Sequence, residues 1–483
     1  LWGTDVAGMA GELIYDKLVK LGSDGEFIPD LAKQVPTTEN GGVSSDGLTY
    51  TFQLRGDVKF QDGVTLTCKD VKFTWDTALD PKTHTKDRQI WTSAASGGVE
   101  CKDEHTVVFH LKQPINNMLE IAALYGILPQ HLLAGKDINT DPFNQKPIGT
   151  GPFKLTDWVK GDHLTFVKNP AYFQGAPNLD GVVIRYMPDA NALLAATHTG
   201  ELDVRLGVSA AQLEAASQLK AYDLVSIPIQ SIFNMYLNWQ KPGLSDPDVR
   251  LALAHAIDKE GISKTILKGT ATSVDVPVPP QSWAYSSPPR IAYDPALAKK
   301  MLDQAGWKPE PDGVRTKGGQ RLKFTILTIP EFERLKVLQV VVQQWKAIGV
   351  QADLSTADLA TWAHRVSQGD FDVAYGFYSY TYSVDNRPLL ACDRKVGNRN
   401  YGHWCVAALD KLMADAAATP DQPARKALFA QFQRQFEQSM PIIPMFARSE
   451  VDSMSKKFHA FKPNPYQSQG ISDFWNAWQW WKE

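Results

Sequence analysis

Residues Lys323 to Leu327 read as a short apolar strand, Arg334 to Ile348 as a long helix, and Val350 to Leu354 as a second strand. This order favours a parallel strand pair bridged by a crossover helix, which commits at least part of the chain to an α/β fold. Other segments carry the same mixture. Leu48 to Phe60 alternates apolar and polar residues and reads as a strand, a tight turn and a second strand, followed by a turn at Asp62-Gly63 and a helix from Thr67 to Leu79. Thr106 to Leu111, Leu164 to Lys168 and Val182 to Met187 read as strands. Ala190 to Thr199 reads as a helix capped by Asp189, and Asp246 to Ile257 as an amphipathic helix with Val249, Leu253 and Ile257 on one stripe. Pro295 to Gln304 starts after Asp294 and stops at Gly306, and Asp410 to Ala417 and Gln422 to Glu437 are the last long helices.

The chain has 483 residues, 43 % of them hydrophobic, which exceeds what one core holds and predicts two or three lobes. A net charge of −3, with both signs interspersed, gives no basic surplus for nucleic acid or an anionic membrane. No apolar run reaches about eighteen residues, so no membrane span is predicted. A start at Leu1 fits a chain from which a targeting segment has been removed.

Cys392 and Cys405 bracket a short polar stretch, and Cys68 and Cys101 flank a hairpin-rich one. Two local disulfides are the simplest of three connectivities, and the smaller loop would contribute about 3 kcal/mol by restricting the unfolded chain. Such bonds favour an exported location. Metal binding is the rival reading; no CxxC occurs, and His403 alone stands beside a cysteine.

Catalytic signatures are missing. G-x-S-x-G and HExxH do not occur, and Gly149-Thr150-Gly151 lacks the rest of a phosphate loop and reads as a tight turn. Aromatic residues in polar company stand out instead. Tyr375 to Tyr382 reads YGFYSYTY and is followed by Ser383, Asp385, Asn386 and Arg387. Rings beside hydroxyl, amide, carboxylate and guanidinium groups suit a polar ligand with apolar faces. Tyr375 and Phe377 are assigned to the core. Tyr378, Ser379, Tyr380, Asp385, Asn386 and Arg387 are assigned to a ligand, with Trp404 and Asn234 as further contacts. The segment Trp475 to Trp481 is expected to pack back onto a domain. No metal or cofactor is called for.

Several motifs in order resemble family 5 of the extracellular solute-binding proteins of ABC importers, the dipeptide-, oligopeptide- and nickel-binding group. They are LTYTFQLRGDVKFQDGVTLTCKD (Leu48 to Asp70), IGTGPFKL (Ile148 to Leu155) and NPAYFQG (Asn169 to Gly175). Arg185 to Asp203, DVRLALAHAID (Asp248 to Asp258) and Tyr293 to Gly306 complete the series. The resemblance implies the two-lobed periplasmic-binding-protein type II fold, α/β in class, with an extra inserted domain and a ligand cleft between the lobes. Lobe 1 would comprise residues 1–35, 165–238 and 441–483, the insert residues 36–164, and lobe 2 residues 239–440, with crossings near Asn238 and Phe436 to Pro441. It also implies a monomeric, non-enzymatic, extracytoplasmic protein that hands its solute to a membrane permease.

Family peptide binders place an Asp for the ligand amine in the stretch matching Gly376 to Pro388. Here that position is Tyr380, and Asp385 is the only carboxylate. No Arg stands at Thr328 to Pro330, where a dipeptide carboxylate would be met; Arg334 is nearby. Three ligands follow: an oligopeptide with its amine on Asp385; a sugar, opine or glycoside stacked on Tyr378, Tyr380 and Trp404; and a nickel chelate on His403. A sensor or chaperone role on the same scaffold is a further reading.

Overall fold

Capping chemistry starts the helices where the sequence places them. Thr67 accepts a hydrogen bond from the Lys69 amide, and its own amide donates to Asp70 at 2.9 Å, closing a capping box before helix α1 (Cys68–Leu79). Asp246 and Asp294 likewise cap α2 (Pro247–His255) and α3 (Pro295–Gln304), each with proline in the first turn. The computed structural model describes residues 5–85, 88–419, 421–466 and 474–483. The chain forms two units, Leu1–Ile227 with Val451–Glu483, and Pro228–Glu450.

In the first unit, β1 (Thr49–Gln53), β2 (Gly98–Asp103) and β3 (Thr106–His110) form an antiparallel sheet in the order β1-β3-β2. Val58 to Phe60, expected as a strand, makes only an isolated bridge between Lys59 and Thr65, because β1 takes β3 as its partner. Trp75 of α1 meets Trp91 and Phe109 edge-on, at 4.9 and 4.7 Å, inside this core. The disulfide Cys68–Cys101 ties α1 to β2. A second antiparallel sheet holds β4 (Phe153–Val159), β5 (His163–Lys168) and β6 (Gly181–Arg185).

Gly149-Thr150-Gly151 is the tight turn expected. A Cβ on Gly149 would lie 2.0 Å from the Ile14 carbonyl oxygen, so only glycine allows the approach. Thr150 donates to Asp16 at 2.8 Å within a buried polar group where Lys20 meets Asp16 and Asp30, at 2.9 and 3.1 Å. Near the carboxy terminus Trp480 is buried against Phe458, Phe461 and Phe474, whereas Trp475 and Trp478 are half-buried and Trp481 is exposed.

The second unit is built on a mixed sheet. Its strands are β7 (Tyr222–Leu237), β8 (Lys323–Thr328), β9 (Gln351–Thr356), β10 (Val373–Ser379) and β11 (Ile442–Ser455), with a short edge strand, Ala271–Ser273. They run in the order Ala271–Ser273, β11, β7, β10, β8, β9. Helix α4 (Phe332–Ala347) joins the parallel neighbours β8 and β9, as the strand–helix–strand order predicts. Helices α5 (Ala407–Ala418) and α6 (Gln422–Ser439) follow, and Cys392–Cys405 closes the loop before α5. Both disulfides are therefore the local pairs.

The unit boundaries fall inside β7 and β11, at Ile227/Pro228 and Glu450/Val451. Asn238 and Phe436 to Pro441, where crossings are predicted, lie within the second unit. β7 ends just before Asn238 and β11 starts just after Pro441, and the unit boundaries lie further along these two strands. Asn238 serves as a pin, donating to the carbonyls of Gly369 and Phe371.

Candidate ligand-binding site

The antiparallel register of β7 and β10 decides which aromatic side chains share a face. Ser231 opposes Ser379, Phe233 opposes Phe377 and Met235 opposes Tyr375. Directly paired residues point to the same side of a sheet, so Ser231, Phe233, Tyr375, Phe377 and Ser379 include one face, and Ile232, Asn234, Tyr236 and Tyr378 the other.

On the Phe233 face, that ring stacks on Tyr375 at 5.3 Å and tilts against Phe377 at 5.5 Å. The hydroxyls of Ser231 and Ser379 are hydrogen-bonded at 2.8 Å. Arg334, from the first turn of α4, holds its guanidinium 5.0 Å from the Phe233 centroid and 5.8 Å from that of Phe377. Arg448 of β11 lies 5.5 Å from the Phe233 centroid, because β11 is the sheet neighbour of β7. Arg334 is buried and pairs with Glu331 at 2.6 Å. Burial holds its pKa below the usual arginine range, Glu331 opposes the shift, and the like charge of Arg448 adds to it. Phe377 remains 46 % exposed. The face thus offers guanidinium donors for an anion and open ring surface for an apolar group.

The opposite face is core. Tyr378 and Tyr380 are 8 % and 2 % exposed, and their rings meet edge-on at 4.7 Å. Burial raises the pKa of both phenols, and that of Tyr380 goes well above its ordinary value. Trp404 is buried, stacks on Tyr236 and donates its indole N–H to the Leu389 carbonyl. Asn234 is buried and donates to the Ile232 carbonyl. Tyr378, Tyr380, Trp404 and Asn234, expected as ligand contacts, are buried on this face, and Phe377, expected in the core, is exposed on the other. Aromatic residues stand at both parities of the YGFYSY run, so alternation alone does not choose a face; pairing with β7 does.

Ser379 is exposed on the Phe233 face, as a ligand contact requires. Beyond it the loop turns at Val384, whose φ of 55° is strained for a β-branched residue and is held by complete burial. Asp385 and Arg387 pair with each other, at 2.8 Å for the shortest contact. Asn386 is buried, and among the described residues neither of its side-chain amide atoms has a hydrogen-bond partner. His403 faces Arg394, at 3.5 Å, and burial and that cation lower its pKa. Among the described residues no group of three or more His, Cys, Asp or Glu is arranged to hold a metal ion.

Sequence reading found Arg334 only as a neighbour of an expected position and missed Arg448. A signal was present: Arg448 follows the fully apolar run IIPMFA, whose residues are all buried. A cavity of about 150 Å³ in the first unit, lined by Thr74, Trp91 and Asn139, is below the size of a site for a drug-sized ligand.

Residues 26–398 match the family model described as bacterial extracellular solute-binding proteins, family 5 Middle. The oligopeptide-binding protein AppA of Bacillus subtilis is 29 % identical over 502 residues, covering 100 % of this chain and 88 % of that protein. The glutathione-binding protein GsiB of Salmonella typhimurium is 32 % identical over 437 residues, covering 87 % and 81 %. The solved structure of Bacillus subtilis AppA in complex with a nonapeptide superposes with a TM-score of 0.79 at 27 % identity, covering 100 % of this chain and 95 % of that one.

Proposed function

This chain belongs to the family 5 bacterial extracellular solute-binding proteins, and from that premise we propose that it captures a peptide or peptide-like solute on the Phe233 face of its second unit. Its α/β architecture is the two-lobed fold of type II periplasmic binding proteins. The family consists of transport binding proteins. The captured solute passes to the membrane permease of an ABC importer, and the protein works as an extracytoplasmic monomer that neither makes nor breaks a bond. Within the first unit we read residues 36–164 as an insert in the lobe core. Among the described residues no helix is long and apolar enough to cross a membrane.

The observation that carries the reading is the convergence of Arg334 and Arg448 on Phe233, beside an exposed Phe377. A peptide presents both a carboxylate and apolar side chains, which match those groups. Relatives named for oligopeptide and glutathione binding support a peptide over a sugar or a nickel chelate. The buried Tyr378, Tyr380 and Trp404, and His403 beside Arg394, point the same way.

Native mass spectrometry of the protein as purified, with identification of any solute released on denaturation, tests this. Released peptides, or peptides captured from an added mixture, are the expected result. A sugar or a metal chelate held in their place would overturn it.

A further inference from the structure

We propose that Arg205 and Ser453 form an anion site within the first unit, and that the anion it takes is a carboxylate. The site is independent of the face that carries Phe233.

One strand pairing builds it. The short strand Val204–Arg205 runs antiparallel to β11, with Arg205 opposite Ser453 and Val204 opposite Met454. Directly paired residues project to the same side of a sheet, so the guanidinium and the hydroxyl share a face. Arg205 is 2 % exposed and Ser453 is fully buried. Gln212 accepts from Nη2 of Arg205 and is itself held by donating to the Ala190 carbonyl at 2.8 Å. Nε and Nη1 of Arg205 and Oγ of Ser453 are buried and meet no partner among the described residues.

No acid answers this charge. Burial alone lowers the pKa of Arg205, and no charged neighbour offsets it. Asp203, two residues earlier, is paired with Lys482 at 2.8 Å. Asp452 stands at the opposite parity from Ser453 and accepts from the Gly207 amide at 3.0 Å. Other buried arginines of this chain are supplied with acceptors. Each nitrogen of Arg250 donates to a backbone carbonyl. Arg315 donates to the Ile348 and Trp307 carbonyls and pairs with Asp303. A buried cation without a counter-ion is costly, so an anion that reaches Arg205 gains from the pairing.

Charge and shape select the anion. One guanidinium beside a neutral hydroxyl and a neutral amide balances a single negative charge. A phosphate dianion would bring a second charge into the same buried place. The unmet atoms are all able to donate, and carboxylate oxygens accept from both guanidinium and hydroxyl groups. A small organic acid and an acidic residue of a peptide both supply such a group.

Trifluoroacetate is the probe, followed by its fluorine NMR signal as protein is added at fixed ionic strength. The signal should shift or broaden with the parent protein. Arg205→Gln should weaken binding at least about tenfold and Ser453→Ala about threefold, while Arg205→Lys keeps part of the affinity; melting curves confirm that the variants fold. On the parent protein alone, acetate should displace the probe at least about tenfold more readily than inorganic phosphate or chloride. Tripeptides blocked at both ends, with Glu or Gln in the middle, then identify the source. Displacement by the Glu peptide and not by the Gln peptide assigns the site to an acidic peptide residue, and displacement by acetate with neither peptide active assigns it to a free acid. No binding to the parent, equal binding to parent and Arg205→Gln, or displacement by phosphate or chloride as readily as by acetate overturns the proposal. None of these outcomes bears on peptide capture by the second unit.

Discussion

The guanidinium of Arg250 lies 3.8 Å from the ring centroid of Trp239, and each of its three nitrogens donates to a backbone carbonyl. It donates to Met440 and Leu244 at 2.9 Å and to Ser439 at 2.7 Å. The carbonyls of Ser439 and Met440 end α6 and lead into β11, and Met440 takes a left-handed φ of 39°. Burial lowers the pKa of Arg250 to about 10, with Asp246 opposing, so it is still charged at neutral pH.

Arg250→Met should therefore destabilise the protein by about 3 kcal/mol, since it leaves several buried carbonyls without donors. Urea unfolding measures this. Arg250→Lys should recover only part, because an ammonium cannot reach three carbonyls in the fork geometry. A loss below about 1 kcal/mol for the methionine variant would show that water replaces the donors.

Asp385→Asn removes the charge that holds Arg387. Both side chains are more than a third exposed, at 36 % and 37 %, so solvent screens the pair and the loss should stay under about 1 kcal/mol. Thermal melting of the variant beside the parent checks it. A larger loss would mean that the pair fixes the strained turn at Val384.

The two disulfides should differ in reactivity. Cys405 is exposed, whereas Cys68 is fully buried. Under a graded thiol reductant with alkylation and peptide mapping, Cys392–Cys405 should open first. Replacing each pair by alanine should cost about 3 kcal/mol for that loop and about 4 kcal/mol for the longer Cys68–Cys101 loop, from chain entropy. Simultaneous opening of both would show that reduction follows global unfolding.

Glu437 introduces a pH dependence. Burial raises its pKa from 4.5 to about 7, the charge of Asp275 adds to this, and Lys259 opposes it. The folded state thus holds this proton more tightly than the unfolded chain. The contribution is fully present below about pH 4.5 and is lost as pH rises through about 7. Glu437→Gln should flatten the fall in stability across that window, as read from urea midpoints at stepped pH. An unchanged slope would place the titrating proton elsewhere.

Much of the fold is local and was legible in the chain. Thr67 with Asp70, Asp246, and Asp294 with Pro295 mark helix starts through side-chain oxygens that reach amides two or three residues on. The crossover from Lys323 to Thr356 follows from the apolar pattern and the handedness of its connection. Both cysteine pairs were the nearest in sequence, and the closure of short loops favours such pairs.

What tertiary structure alone decided is which side chains share a face of the sheet. Tyr375 and Phe377 share one parity of β10 and Tyr378 the other, and the pairing of Phe233 with Phe377 sets Tyr378 on the opposite face. Arg334 and Arg448 stand on a helix and a strand far apart in sequence; the strand order that sets β11 beside β7 brings both to Phe233. Periodicity reports the burial of one element at a time. The site depends on contacts between elements, and those are set by sheet order and register, which no local pattern encodes.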